Sequence, residues 1–288
     1  MKIVYQMHIS WFETEMALET LESVIVAAEY TSLPVEINLC LNTQTYLEEP
    51  ATGTTEEMFS CILSHPRSSE WKIVWKTDQD SFYNVGDWRR GCYDSKNLTV
   101  WGESDCLVPE IYFAYIESIH KQLPTTTPYI VTIQQKKMWD SSWTPTEHFA
   151  LQNFSLDQVR AMNNKLVTGE GFLNLEELNT FNKAFQEQVK FTRTDYYKGD
   201  GALVYLSPGM STPFIAEGLH MCGEDTYFFN YCSKKKVPMY VIEGLMKGHN
   251  TAHPKKRMNY SQKPIHKERF AELDRNMRLL AQTALNTL

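Results

Sequence analysis

Two short acidic motifs contain the side chains of this sequence that are best suited to chemistry. The first motif, Glu103-Ser104-Asp105, follows an apolar run that ends in Gly102. Carboxylates at the carboxyl end of a parallel strand point into the crevice where α/β proteins bind their ligands. Their oxygen atoms suit a hard cation such as Mg²⁺ or Mn²⁺, which would in turn hold a diphosphate. The alternative for this motif in isolation is a solvated acidic turn.

The second acidic motif is the pair Glu224-Asp225, which follows Gly223 and begins a segment with helical character. The helix dipole stabilises carboxylates at a helix N-terminus, so we expect both side chains to be ionised unless burial opposes this. A carboxylate that takes the proton of a reacting hydroxyl contributes a factor on the order of 10²–10⁴ in rate. The alternative is a simple N-terminal helix cap.

The elements that must position the first motif alternate between strands and helices. A helix is predicted over 14–30, where apolar residues recur at helical spacing. Short β-type runs lie at 2–7, 35–41, 71–76 and 98–102. Strand–helix alternation with short connections predicts a parallel sheet with covering helices.

The second half of the chain differs, because helix signals dominate it. Its β-type runs lie only at 202–207 and 237–243. Helices are predicted at about 156–164, from 174 along an apolar stripe to 189, from 223, and over 267–287.

These motifs, in this order, resemble the nucleotide-sugar half of GT-A-fold glycosyltransferases, most closely the large family 2 type. The matching residues are Thr20-Leu21-Glu22-Ser23 on the first helix, Asn84, Gly86, Arg89, Arg90 and Gly91 after the third strand, Glu103-Ser104-Asp105 before a Pro, and Glu224-Asp225. Glu103 stands where the family's D-x-D motif begins with Asp. The resemblance implies an α/β, GT-A fold: a central, mostly parallel sheet flanked by helices, with a C-terminal helix.

The resemblance covers about residues 1–255 in short blocks and implies one catalytic domain there. Residues 1–110 would form the nucleotide-sugar half and residues 111–255 the acceptor half. Residues 256–288 would form a C-terminal helical extension. The stretch 111–198 carries no motif that matches, and acceptor binding varies in this region of the family.

A divalent cation, Mn²⁺ or Mg²⁺, is the cofactor that the resemblance implies. Asp105 would ligate it directly, together with Glu103 and His249, and His253 is the alternative to His249. Basic residues beside these histidines could neutralise phosphates. The alternative for either His is an ordinary surface or cap residue.

The resemblance also implies a base and two binding surfaces. Asp225, beside Glu224, would remove the proton of the acceptor hydroxyl. Trp139 and Trp143 could stack on the acceptor, and ordinary packing is their alternative. The candidate donor-binding residues follow the first strands and the helix start: Gln6, His8, Asn42, Asn84, Arg89, Arg90 and Ser104.

The function implied is a metal-dependent glycosyltransferase that moves a sugar from a nucleotide-diphosphate sugar to a hydroxyl acceptor with inversion. The acceptor alternatives are a glycan and a hydroxymethylated DNA base, as in phage DNA-modifying glycosyltransferases. Two other classes stay open. A nucleotidyltransferase usually carries a Gly-rich basic loop after its first strand, and residues 6–15 have none. A non-catalytic sugar- or protein-binding relative is the other.

Composition excludes several further classes. The chain of 288 residues has 28 basic and 35 acidic residues, a net charge of -7, which argues against a protein that coats nucleic acid. Its 42% hydrophobic content is that of a globular protein. The six Cys form no CxxC pair, so reduced thiols are expected. The sequence shows no signal peptide and no membrane-spanning run, and the expected location is cytoplasmic.

Overall fold

The computed structural model describes residues 1–10, 13–42, 54–77, 85–123, 126–133, 175–184, 186–197, 199, 201–220, 223–249 and 264–288. The strands in this part of the chain are β1 (Ile3–Ser10), β2 (Val35–Asn42), β3 (Trp71–Thr77), β4 (Leu98–Glu103), β5 (Cys106–Leu107), β6 (Ile130–Ile133), β7 (Lys190–Thr194), β8 (Val204–Leu206), β9 (Met239–Glu243) and β10 (Gly248–His249). The helices are α1 (Thr14–Ala28), α2 (Thr54–Ser64), α3 (Val85–Gly91), α4 (Tyr112–Gln122), α5 (Leu175–Ala184), α6 (Glu224–Lys234) and α7 (Pro264–Asn286).

An eight-stranded sheet in the order β3-β2-β1-β4-β8-β6-β9-β7 forms the centre of the molecule. The first four strands of that order are mutually parallel, and β8 and β7 run against the others. β5 and β10 form a separate antiparallel pair. The predicted α/β class is confirmed: a mostly parallel central sheet with helices around it and a C-terminal helix.

Strand β1 shows how the sequence divides the sheet into two different faces. Successive side chains of a strand point to opposite faces. Ile3, Tyr5, Met7 and Ile9 enter the main apolar core. The alternate set, which includes polar side chains, faces the other way. Every residue of β1 is buried, so both faces of the sheet are covered here.

Helix α1 covers the apolar face, because Ala17, Leu21, Val24 and Ile25 all lie in the main core. Full burial of a Leu or Val side chain contributes about 1.5–3 kcal/mol. The helix predicted over 14–30 is therefore present, and it ends two residues earlier than predicted.

The C-terminal helix α7 packs on a second apolar cluster on the opposite face. Trp101, Phe214 and Phe228 form the aromatic centre of this cluster, with Trp101 and Phe228 ring centroids 4.7 Å apart. Met277 and Leu280 of α7 pack against it. The helix predicted over 267–287 is thus confirmed as an element that contributes to the fold.

The described elements without a counterpart in the sequence predictions are α4, β6 and β7 in the middle of the chain and the two-residue strands β5 and β10. Helix α4 does carry a signal, since its buried residues Tyr112, Phe113, Ile116 and Ile119 recur at helical spacing. The predicted stripe to 189 is shorter in the structure, where α5 ends at Ala184. The helix predicted at 156–164 lies outside the described residues. None of the helices in the described part of the chain is long and apolar enough to cross a membrane.

Candidate functional site

The Glu103-Ser104-Asp105 motif forms the turn between β4 and β5, at the carboxyl end of the parallel strands. Ser104 and Asp105 are buried, whereas the side chain of Glu103 keeps 14% of its surface exposed. Two polar residues of α1 hold this turn in place. Thr20 Oγ1 donates to the Ser104 carbonyl at 2.8 Å. The Val108 N–H, just after β5, donates to Ser23 Oγ at 2.9 Å.

The segment that carries His249 lies beside the same turn. In the β5–β10 pair, His249 is opposite Cys106, the residue after Asp105. The preceding segment is fixed by Asn182 of α5, whose amide accepts from the Met246 N–H and donates to the Met246 carbonyl, both at 2.8 Å. The backbone of His249 is therefore next to the acidic turn, and its side chain lies outside the described residues.

The two acidic motifs meet at a single guanidinium, that of Arg89 on α3. Arg89 Nη2 lies 3.5 Å from Glu103 Oε1, and Arg89 Nη1 lies 3.2 Å from Glu224 Oε1. Nη2 also donates to the Gly201 carbonyl at 3.0 Å. The guanidinium carbon lies 5.0 Å from the Trp101 ring centroid, within the range of a cation–π contact. Arg89 is only 1% exposed, so these contacts are made in a low-dielectric environment.

Gly201 makes this close approach possible. A Cβ atom at position 201 would lie 2.4 and 2.5 Å from the two Arg89 Nη atoms and 2.6 Å from Glu103 Oε1. Real Cβ atoms essentially never approach so closely, so any other residue at this position would displace the ion pair. The sequence carried no signal for this role.

Asp225 is the second residue of α6, after Gly223 at a φ of 108°. Removal from water, followed by the charges of Glu224 and Glu103, raises the pKa of the half-buried Asp225 carboxyl to about 7. The Thr226 N–H, 2.6 Å from Asp225 Oδ1, and the charge of Arg89 act in the opposite direction. Burial thus opposes ionisation, and the carboxyl can exchange a proton near neutral pH.

A row of buried polar side chains lies on the sheet face opposite the main core. Gln6, His8 and Ser10 alternate along β1, and the parallel register places His8 beside Glu103. The register also places Ser10 beside Asn42 of β2. The structure therefore brings three predicted donor-binding residues to the sheet face that bears Glu103.

Helix α3 covers part of this polar face. The Trp88 and His8 rings have centroids 6.3 Å apart, and Gln6 Nε2 donates to the Cys92 carbonyl just beyond α3. Asn38 of β2, beside Gln6, was not among the predicted site residues. The alternation of apolar and polar residues along β1 and β2 is the signal that could have found Ser10 and Asn38.

Arg90, another predicted donor-binding residue, joins α3 to the segment that precedes α6. Its Nη1 donates to the Ala216 carbonyl at 2.7 Å, and its Nη2 contacts Asp87. Asp87 also contacts His220 Nδ1, and the Gly86 N–H donates to the His220 carbonyl at 2.6 Å. Burial opposes ionisation of Asp87, but its bonds to His220 and Arg90 lower the pKa of its carboxyl.

The remaining predicted residues are not brought together in the described part of the chain. Asn84, Trp139, Trp143 and His253 lie outside the described residues. Among all the residues that the structure describes, no three acidic, His or Cys side chains are grouped so that they could hold a metal ion together. Glu103 and Asp105 are oxygen donors of the kind that Mg²⁺ and Mn²⁺ prefer, and the backbone of His249 is close to them. The chemistry of these donors fits a divalent cation, and the complete ligand set stays a prediction.

Comparison with known proteins finds matches among solved structures alone. No family model matches the chain, and no curated protein matches it significantly. Among the solved structures that match is S. aureus TarS 1-349, with 11% sequence identity and a TM-score of 0.45. The match covers 84% of this chain and 58% of the TarS chain. This chain thus spans less than two thirds of that structure.

Proposed function

We propose that this protein is a metal-dependent glycosyltransferase that moves a sugar from a nucleotide-diphosphate sugar to a hydroxyl acceptor with inversion. The observation that carries the proposal is the meeting of the two acidic motifs at the carboxyl end of β4. Ligands of open α/β sheets bind at this edge. The motif resemblance to family 2 GT-A enzymes supports the same reaction.

The polar sheet face is the proposed place of the nucleotide. Ser10 and Asn42 lie at the carboxyl ends of neighbouring parallel strands, and His8 lies beside Glu103. These side chains offer hydrogen-bond donors and acceptors to a base or ribose. The Asn42 amide in place of a family carboxylate leaves the identity of the base open.

The leaving diphosphate would lie at the turn after β4. Asp105, Glu103 and His249 are the residues proposed to hold the divalent cation. Such a cation, when bound, stabilises negative charge on the departing diphosphate by several kcal/mol. The protein's own contribution is to hold the acidic turn through Thr20 and the His249 segment through Asn182.

Asp225 is the proposed general base. Its carboxylate would take the proton of the acceptor hydroxyl as the hydroxyl oxygen bonds to the anomeric carbon. The bond between that carbon and the diphosphate breaks on the opposite side, and the sugar is inverted. A base with a pKa near the working pH is well suited to this transfer.

The acceptor is proposed only as a class, a hydroxyl on a glycan or on a hydroxymethylated DNA base. A flipped base would need aromatic stacking and a positively charged channel. The net charge of -7 does not favour DNA over a glycan. Trp139 and Trp143 stay the proposed acceptor contacts.

Calorimetry with a panel of nucleotide sugars and nucleoside triphosphates, each with Mn²⁺, tests the proposal. We expect one nucleotide sugar to bind and, once a matching acceptor is added, to release its nucleoside diphosphate. Turnover of a nucleoside triphosphate instead would indicate a nucleotidyltransferase. Binding of a sugar without turnover, with every acceptor tried, would indicate a non-catalytic relative and contradict the proposal.

A further inference from the structure

The contacts of Arg89 differ from those of an arginine that binds a ligand's phosphate. Its side chain is 1% exposed, and its Nη atoms contact Glu103, Glu224 and the Gly201 carbonyl. A guanidinium that is buried to this extent presents little surface to a phosphate. We propose that Arg89 is a positioning residue, which fixes the Glu103 motif against the Glu224 motif. This inference rests on the proposed glycosyltransferase function.

The shape of the guanidinium suits this role. Its two Nη atoms point in different directions within one plane, so one reaches the end of β4 and the other reaches the start of α6. Glu103 belongs to the proposed cation site, and Glu224 directly precedes the proposed base. Arg89 therefore sets the separation between the leaving group's site and the base.

Two further contacts hold the guanidinium itself, and each of the two contacting groups has a neighbour that supports it. The Trp101 ring lies on one side of it, and Phe228 of α6 packs against that ring. The Gly201 carbonyl accepts from Arg89, and the next carbonyl, of Ala202, accepts from the buried Lys247 Nζ at 2.9 Å. Two buried cations thus hold consecutive carbonyls of one turn. This turn and the aromatic pair therefore restrict where the guanidinium can lie.

Arg89→Lys tests the role, because a lysine keeps the charge but cannot bridge two carboxylates in a plane. With the best nucleotide sugar and Mn²⁺, we expect kcat to fall by about 10–100-fold, as for a misplaced reacting group. The donor KM should stay within about threefold, because a residue that only positions the two motifs makes no contact with the donor. Arg67→Lys, at an exposed pair with Glu70, is the control and should leave both constants unchanged.

Gly201→Ala provides a second test, in which residue 89 is still an arginine. The new Cβ would overlap both Nη atoms and Glu103, so we expect the same loss in kcat with an unchanged donor KM. Gly199→Ala is the matched control. Its Cβ would meet the Phe229 ring at 2.0 Å, which overpacks the core without touching Arg89. It should lower the urea midpoint, with a much smaller effect on kcat.

A donor KM raised tenfold or more in Arg89→Lys, with kcat retained, would make Arg89 a donor ligand and overturn the positioning role. Wild-type constants in that variant would overturn it as well. A double-mutant cycle of Arg89→Met and Glu224→Gln in urea tests the bridge without any substrate. We expect a coupling of at least about fivefold in the unfolding equilibrium constant. Absence of coupling overturns the bridge.

The two proposals can fail separately. If the wild-type protein turns over no nucleotide sugar but the cycle shows the coupling, the glycosyltransferase function is wrong and the bridge is supported. If the wild-type protein is active, the coupling is present and Arg89→Lys keeps its kcat, the function is supported and the positioning role is wrong.

Discussion

At the scale of single residues, Asp225 carries the most specific chemical expectation. Its carboxyl lies close to Glu224 and Glu103, and one guanidinium serves both of those neighbours. Removal from water and this concentration of carboxylates both raise the cost of a further negative charge. The pKa of about 7 makes Asp225 able both to accept and to release a proton at neutral pH.

Asp225→Asn should lower turnover by a factor on the order of 10²–10⁴, because an amide cannot accept the acceptor's proton. Donor affinity should stay nearly intact, because the proposed base does not hold the nucleotide. Steady-state kinetics for turnover and calorimetry for donor affinity check the two expectations. Asp274→Asn, at an exposed pair on α7, should leave both unchanged. Retention of configuration at the sugar carbon would contradict the simple base role.

Asp225 should also make the protein less stable as the pH rises. Its folded pKa of about 7 lies above its ordinary value of 3.8, so between these values the folded state binds more protons than the unfolded state. The free energy of unfolding therefore falls with rising pH in this window. We expect the difference between wild type and Asp225→Asn, from metal-free urea unfolding, to shift in favour of the variant from about pH 5 to about pH 8.

A constant difference between the two proteins across that range would contradict the raised pKa. Asp87→Asn gives an internal contrast, since contacts with His220 and Arg90 lower the pKa of Asp87. Its contribution to stability is present at neutral pH and is lost as the pH falls through the lowered folded pKa.

At the scale of elements, α1 shows why a short polar motif on a helix predicts the geometry of a turn. In Thr20-Leu21-Glu22-Ser23, Leu21 enters the core while Thr20 and Ser23 hold the backbone around Asp105. The motif's hydroxyls therefore connect the helix to the acidic turn.

Thr20→Val should destabilise the protein by about 1–2 kcal/mol, because the buried Ser104 carbonyl would lose its donor in a side chain of nearly the same shape. Urea unfolding measures the change. Thr283→Val is the matched control, since its hydroxyl bonds to the Leu279 carbonyl on the exposed side of α7. We expect that control to change stability by less than about 0.5 kcal/mol. Equal effects of the two substitutions would contradict the anchoring role of Thr20.

The strands that position the acidic turn were predictable, because each is a compact β-type run and β1 alternates in polarity. Helix α4 was also within reach from its apolar spacing. The meeting of Glu103 with Glu224 was not, because pairing through Arg89 depends on the packing of three distant elements. The family resemblance implied donor binding for Arg89 and Arg90, and the sequence gave no sign of how deeply Arg89 is buried.

At the scale of the whole molecule, the C-terminal helix belongs to the same packed structure as the sheet. Leu280 packs on the aromatic cluster that includes Trp101, whereas its neighbour Leu279 is 68% exposed. Some of the acidic residues behind the net charge of -7 lie in the two acidic motifs, which meet at the buried Arg89.

Leu280→Ala should lower the free energy of unfolding by about 1–3 kcal/mol through lost burial and packing. Leu279→Ala, one residue away, should change it by less than about 0.5 kcal/mol. Urea unfolding followed by both tryptophan fluorescence and circular dichroism gives the comparison. Equal, small effects would show that α7 adds little to the stability of the fold.

The most direct test of the proposed function is the release of nucleoside diphosphate from nucleotide sugars by wild type and by Asp105→Ala. Each protein is incubated with Mn²⁺ and with either glycans or hydroxymethylcytosine-containing DNA, and circular dichroism confirms that the variant is folded. We expect wild type to release the diphosphate only with the cation and a matching acceptor, and folded Asp105→Ala to release none. Wild-type turnover in folded Asp105→Ala would contradict the proposed site.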